Sequence, residues 1–327
     1  MTSGSNTQAV MLLTVSFGRS DRSEAKPLSP KEWARFATWL RNRNLDVSDL
    51  LKGELRSQLE GWTDRSISQS RLESLIERGG ALGLALEKWQ RAGLWIMTQR
   101  DSGYPERLKD RLGLESPPVL FGCGNKMLLA RGGIAAVGSR DAGREDLAFA
   151  GDLGAAAAAQ GYSVVSGAAR GVDESAMLSA LENDGTAIGV VADSLMRVAT
   201  SAKYRRFLLS RDLALVTPFN PEAGFSVGNA MSRNRYIYCL ADAAVVVSST
   251  PNRGGTWNGA LQDLKAEWVP LWVKRTANAE SGNAMLVRRG AHWIPDDLTS
   301  LESLTTSEPE KALRLELPLS RRRKTDL

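Results

Sequence analysis

Cysteine and histidine are almost absent from this chain. Its 327 residues contain two cysteines, Cys123 and Cys239, and one histidine, His292. These three, far apart in sequence, cannot by themselves supply a usual zinc ligand set, and two distant cysteines make no disulfide framework. Reduced thiols in a cytoplasmic chain are the simple expectation, with no metal and no cofactor. The apolar run Ala9 to Phe17 is too short to cross a bilayer. No basic residues precede it, as they would in a secretion signal, so no membrane association is expected. The two standard nucleotide fingerprints are missing as well. No Gly-Lys-Ser/Thr completes a P-loop, and Gly138 and Gly143 do not fit G-x-G-x-x-G. No internal repeat is apparent.

What is present is ordinary for a globular chain. The apolar share is 43%, and 42 basic residues face 37 acidic ones, a net charge of +5. The length suits roughly two domains, at about 150 residues each. The basic balance favours a polyanionic partner, and the placement of the arginines says more than their total.

Residues 1–28 read as a flexible segment. A helical domain is expected over 29–93. Ser29-Pro30-Lys31-Glu32 matches a capping box with proline at the first helical position, and Trp33, Phe36, Ala37 and Leu40 follow at helical spacing. A second helix is expected from Ser48, with Leu51, Leu55 and Leu59 on one face. A third runs from Gln69 to Arg78 and stops at Gly79-Gly80, and a fourth from about Leu82 to Arg91. The leucine and tryptophan stripes are read as core. Residues 94–126 form a connector holding an edge strand at 94–98, the breakers Tyr104-Pro105 and Pro117-Pro118, and a short strand at 119–121. Strands are then expected at 134–137, 163–166, 187–192, 213–217, 243–248 and 269–273. Helices alternate with them near 143–160, 172–184, 201–210, 230–241, 256–267 and 282–289. This pattern gives an α/β fold with a doubly wound, mostly parallel sheet over 94–302, preceded by a small all-helical domain. Strand order cannot be read from it. A charged tail, 303–327, ends in Arg321-Arg322-Arg323-Lys324 and is expected to be solvated.

The stretch 134–173 organises the rest. It reads strand, polar turn, helix, strand, polar turn: a parallel βαβ unit that puts both turns at the carboxyl edge of the sheet, where open α/β folds bind ligands. The turns are Gly138-Ser139-Arg140 and Ser166-Gly167-Ala168-Ala169-Arg170-Gly171. Each joins glycine, hydroxyl and arginine, a chemistry suited to phosphate, and Asp173 could cap the helix that follows. Lys203-Tyr204-Arg205-Arg206 sits at a helix start, where cations oppose the dipole unless an anion binds. Ser232-Arg233-Asn234-Arg235, with one arginine expected at the ligand edge and another paired internally, and the nest Arg253-Gly254-Gly255-Thr256 complete the set. Taken singly, each is an ordinary turn or a solvated charge cluster. Trp257 could stack on a base, but packing against the sheet is its expected role.

In order and spacing these stretches resemble the DprA/Smf family of bacterial DNA-processing proteins. The matching segments are GYPERL (103–108), SPPVLFGCGN (116–125), AAVGSRDAG (135–143), VVSGAARGVD (164–173), SRNRYIYCLADAAVVV (232–247), GGT (254–256) and SGNAMLVRRGA (281–291). The helical segment is similar in pattern to the family's sterile-alpha-motif-like domain. The resemblance implies an extended Rossmann-like core that binds single-stranded DNA without catalysis, helps load a RecA-type recombinase in recombination, transformation or a related DNA-handling or defence process, and forms homodimers. It implies phosphate contacts at Arg140, beside Gly138 and Ser139 of the same turn, and at Arg170, and a pocket shaped by Ser166 and Gly167. Further basic contacts would come from Lys203, Arg205 and Arg206, and Arg233-Asn234-Arg235 matches the family's RNR segment.

Several positions depart from the family pattern. Met177 stands where the family commonly has His, Ser232 where it has Pro, and Ala192-Asp193-Ser194 replaces a glycine-rich turn. No Pro follows Tyr204, and the chain ends too soon after the core for a winged-helix domain. The alternative function is a nucleotide sensor or a hydrolase like the LOG phosphoribohydrolases of the same fold. Their Pro-Gly-Gly-x-Gly-Thr loop is followed by an acidic residue, whereas Gly254-Gly255-Thr256 is followed by Trp257, Asn258 and Gly259. The carboxylate for general acid/base chemistry is missing there.

Overall fold

The computed structural model describes residues 4–17 and 25–306. The helices are α1 Ser5–Thr14, α2 Pro30–Asn42, α3 Leu55–Gln58, α4 Gln69–Ile76, α5 Gly79–Arg91, α6 Glu106–Leu112, α7 Leu128–Arg131 and α8 Arg144–Ala159, then α9 Val172–Glu182, α10 Leu195–Ala199, α11 Ala202–Ser210, α12 Val227–Leu240, α13 Gly254–Ala266, α14 Gly282–Val287 and α15 Glu302–Thr306. The strands are β1 Trp95–Thr98, β2 Val119–Gly124, β3 Ile134–Val137, β4 Ser163–Ser166, β5 Thr186–Val190, β6 Leu213–Thr217, β7 Ala243–Val246, β8 Leu271–Val273 and β9 His292–Trp293.

One sheet takes the order β1-β2-β6-β5-β4-β3-β7-β8-β9. From β6 through β9 every neighbouring pair is parallel, while β2 runs antiparallel to both β1 and β6. The central strands are buried on both faces, so they read as apolar runs: Ile134 to Val137 and Ala243 to Val246 are buried throughout. The chain winds outward from β3 through β4, β5 and β6, then returns to place β7 on the other side of β3. That reversal opens a crevice at the carboxyl ends of β3 and β7, the topological switch point of the fold.

The expected βαβ unit is present, with β3 and β4 parallel and α8 between them. The capping box at Ser29 also forms, the Ser29 N–H donating to Glu32 Oε2 at 2.8 Å.

Several expectations in the N-terminal third are corrected. Residues 5–14 are a helix whose Ala9 to Leu13 are at most 3% exposed. With every face covered, the segment shows no amphipathic period. The single helix expected from Ser48 is broken into a 3₁₀ turn, Val47–Leu51, and α3, because Gly53 adopts φ +82°. Gly79-Gly80 begins α5 rather than ending α4. The connector 94–126 holds α6, and β9 was not anticipated. The basic cluster at 321–324 lies outside the described residues.

The GYPERL segment serves the fold. Tyr104 Oη donates to Pro117 O at 2.8 Å. Arg107 and Arg111, both on α6, reach the carboxyl end of α12. Arg107 donates to Leu240 O at 3.0 Å, and Arg111 to Cys239 O at 2.9 Å and Ala241 O at 2.6 Å. α12 has no basic residue in its own last turn, so cations from another helix satisfy its terminal carbonyls. Among the described residues no helix is long and apolar enough to cross a membrane.

Candidate functional site

Two cavities meet along the carboxyl edge. The crevice at the switch point, of about 390 Å³, lies between the loops after β3 and β7 and the first turns of α12 and α13. A neighbouring recess of about 510 Å³ lies between the loop after β4 and the segment 191–204. Arg140, Ala169, Phe225 and Arg233 line both, so the two form one groove.

Gly138, Ser139 and Arg140 leave β3 directly into the crevice, facing Gly254, Gly255 and Thr256 at the start of α13. Thr256 Oγ1 donates to Gly138 O at 3.0 Å, and Asn234 Nδ2 to Gly255 O at 3.0 Å, which pins both turns. Gly254 has φ +89°, a conformation that costs L-residues energy, so the nest depends on glycine. The opened turn leaves N–H groups at the start of α13, a site suited to anions.

The floor between crevice and recess is a buried pair. Arg233 is 4% exposed, donates from Nη1 to Val190 O at 2.8 Å, and lies 3.9 Å from Asp173 Oδ2. Burial pushes the Asp173 carboxyl up, while Arg233, the Ser166 hydroxyl and the N–H groups of Ala169 and Gly167 pull it back. Burial likewise pushes the Arg233 guanidinium down, against the pull of Asp173. A β-carbon on Gly167 would overlap that guanidinium, so Gly167 is where the backbone makes room for the pair. Next to it Ala168 sits at φ +50°, and Ser194, across the recess, at φ +38°. Such conformations cost of order 1 kcal/mol each and gather at ligand-facing loops.

Several predicted residues are thereby corrected. Asp173 is not the cap of α9; Gly171 is, and Asp173 turns inward. Arg233 is a buried pillar, not a surface contact. Ser166 is fully buried and donates to Ala136 O at 2.6 Å, so it supports the pocket from below. Arg235 turns to Glu115 at 2.7 Å. The reason is helical geometry: three consecutive residues on α12 point about 100° apart, so Arg233, Asn234 and Arg235 cannot share one face. The same rule splits the cluster on α11. Lys203 lines the recess, whereas Arg205 and Arg206 line neither cavity, and Arg206 pairs with Glu182 at 3.3 Å.

Of the cations that line the groove, several have acid partners. Arg170 pairs with Asp141, Lys203 with Glu174, and Arg197 with Asp193 at 3.3 Å. Among the described residues Arg140 and Arg253 have no carboxylate partner. The Arg140 guanidinium instead sits 5.5 Å from the centroid of the Phe225 ring. Phe225 is 59% exposed, and Val227 and Met231 beside it are 64% and 45% exposed.

The sequence left this apolar rim unread, together with Arg197 on α10, and offered Arg253 only as part of the glycine nest. Phe225 carried a weak signal, as the lone aromatic in Pro-Glu-Ala-Gly-Phe-Ser ahead of a helix. Trp257 is 2% exposed and packs as expected. Met177, in place of the family's histidine, is fully buried. Both cysteines are buried as well; burial pushes the Cys123 thiol up to about 12 and raises that of Cys239, away from the thiolate form.

The family model of DNA recombination-mediator protein A matches residues 95–305. A curated protein of Mycobacterium tuberculosis (strain ATCC 25618 / H37Rv) that carries the name DNA processing protein DprA is 31% identical over 217 residues, covering 62% of this chain and 54% of the relative. The chain thus spans about half the length of the curated relatives it matches. DNA processing protein A from Streptococcus pneumoniae superposes with a TM-score of 0.66 at 19% identity, covering 82% of this chain and 90% of that one. The Helicobacter pylori protein, described for a unique single-stranded DNA binding mode, superposes with a TM-score of 0.53 at 22% identity, covering 63% of this chain and 94% of its own. At these identities the two structures speak for a shared fold.

Proposed function

The chain belongs to the DNA recombination-mediator protein A family, and from that premise we propose that it binds single-stranded DNA in the groove at the carboxyl edge, without chemical turnover. The observation that carries this reading is the junction of the two cavities. There an arginine without an acid partner, Arg140, stands beside an exposed aromatic ring, Phe225, in a groove whose other surface cations are Arg170, Arg197, Lys203 and Arg253. A cationic track with an aromatic stacking surface is what sequence-tolerant binding of single strands requires. Phosphates would meet Arg140 and the N–H groups of Gly254, Gly255 and Thr256, while a base would lie on Phe225. Loading of a RecA-type recombinase and assembly as a homodimer extend the proposal by family resemblance. The reading without catalysis is supported by the carboxylates of the groove, because Asp173 is tied to Arg233 and Asp193 to Arg197.

One observation favours a mononucleotide as the alternative occupant: the crevice, at about 390 Å³, falls in the size range of small-ligand pockets. A salt series of oligo-dT and duplex binding, run beside calorimetry with AMP, ADP-ribose and NAD, separates the two. Preference for the single strand, with affinity falling steeply as salt rises, supports the proposal. Tight mononucleotide binding with no DNA binding overturns it.

A further inference from the structure

The loop that carries Phe225 leaves β6 at Pro218 and enters α12 at Ser226, whose hydroxyl accepts the Asn229 N–H at 3.4 Å. Midway along it, Glu222 reaches the N-terminal helices. Its carboxylate accepts the Trp89 indole N–H at 3.2 Å and pairs with Lys88, both on α5. Asn220 donates to Ser16 O, just past α1, at 2.8 Å, and its Oδ1 accepts the Glu222 N–H at 2.8 Å, which joins the two tethers. Trp89 is itself fully buried, with its ring edge-on to Phe121 of β2 at 5.0 Å. The opposite side of the same segment holds α10. Ala223 O accepts Ser194 N–H at 2.7 Å, and Pro221 O accepts Met196 N–H at 3.2 Å. Arg197, which lines the recess, follows directly. No residue of α1 or α5 lines either cavity.

We infer that the N-terminal helices are a positioning element for the groove, acting through Glu222 and Asn220 to fix the loop that presents Phe225 to a base. This rests on the single-stranded DNA reading above. Glu222 is a positioning residue that touches no DNA. The physical argument is one of pre-organisation. An exposed aromatic on an untethered loop must be ordered at the moment of binding, and each immobilised residue or side chain then costs free energy. A charge-assisted bond from a buried indole to Glu222 removes that cost beforehand.

The test is a double-mutant cycle on the full chain, read by anisotropy of labelled oligo-dT and accompanied by thermal unfolding. Phe225→Ala weakens binding roughly five- to a hundredfold, the worth of one base stack. Glu222→Ala weakens it roughly two- to tenfold, and Glu222→Gln, which keeps an acceptor for Trp89, recovers most of the loss. In the Phe225→Ala background Glu222→Ala has no further effect, because it acts through the ring. The slope of affinity against salt stays at the wild-type value in Glu222→Ala, since no phosphate contact is removed. Asn220→Ala provides a second break in the tether should Glu222→Ala fold poorly. Wild-type affinity in Glu222→Ala and Asn220→Ala, or equal losses with and without Phe225, overturns the inference while leaving DNA binding intact. Failure of the wild type to bind oligo-dT overturns both readings, and wild-type affinity in Phe225→Ala removes the ring from the interface and this inference with it.

Discussion

The crevice and the recess share a wall and differ in how their cations are held. Among the described residues, Arg253 in the crevice and Arg140 on the wall shared with the recess have no carboxylate partner. In the recess, Arg170, Arg197 and Lys203 each have one. A phosphate entering the crevice meets charge that is already available. One that enters the recess away from Arg140, at Arg170, Arg197 or Lys203, must displace a carboxylate, and the energy of the exposed ion pair is subtracted from what the phosphate gains. A basic residue in a groove therefore contributes according to its partner as much as its position.

The comparison can be broken most severely at the shared floor. Asp173→Ala leaves Arg233 buried without a counter-charge, and a loss of about 3–5 kcal/mol of stability is expected, measured by denaturant titration. A loss below about 1 kcal/mol would mean that the pair does not support the wall.

Next in size is a pH effect at the far end of α13 from the crevice. Asp263 on α13 is fully buried, its Oδ1 accepting the Val269 N–H at 3.3 Å, and burial pushes its carboxyl up to about 7. Between about pH 4 and pH 7 the folded chain holds a proton that the unfolded chain has released, so wild-type stability falls as pH rises through that window and then levels off. Asp263→Asn lacks this slope. Its stability relative to wild type should rise by about 2–4 kcal/mol from pH 4 to pH 8. A constant difference across that range would refute the assignment.

Within the groove, Arg140→Ala is expected to cost about 1.5–3 kcal/mol of oligo-dT affinity and to reduce the salt slope by about one. Arg170→Ala should cost less than about 1 kcal/mol, because the pair with Asp141 is lost with it. Equal losses at the two arginines would erase the distinction between crevice and recess. A sharper version is Asp141→Asn, which releases Arg170 and should tighten binding about two- to fivefold. The smallest effect belongs to Arg205→Ala, which should bind as wild type does; a loss as large as that of Arg140→Ala would extend the interface onto the outer face of α11.

Much of this was legible before any coordinates. The strands from Ile134 onward, apart from the two-residue β9, announced themselves as short apolar runs between glycine-bearing turns. The two turns at 138–140 and 166–171 were placed on one edge because a helix between parallel strands leaves no other choice. Two kinds of feature were hidden. α1 was unreadable because a helix buried on all sides has no polar face to reveal its period. Phe225 gave only a weak signal because a loop's position depends on what it is tied to, here Trp89, Lys88 and Ser16, more than a hundred residues away in sequence.

The division is physical. The sequence alone determined what depends on neighbours along the chain: the alternation of strand and helix, the capping box at Ser29, the glycine nests and the chemistry of the loops. Only the tertiary structure decided what depends on partners distant in sequence. Pairing of β3 with β7 turned a row of strands into a switch point with a crevice. Packing of α12 chose, from three consecutive residues 100° apart, Arg233 for the floor, Asn234 for the wall and Arg235 for Glu115.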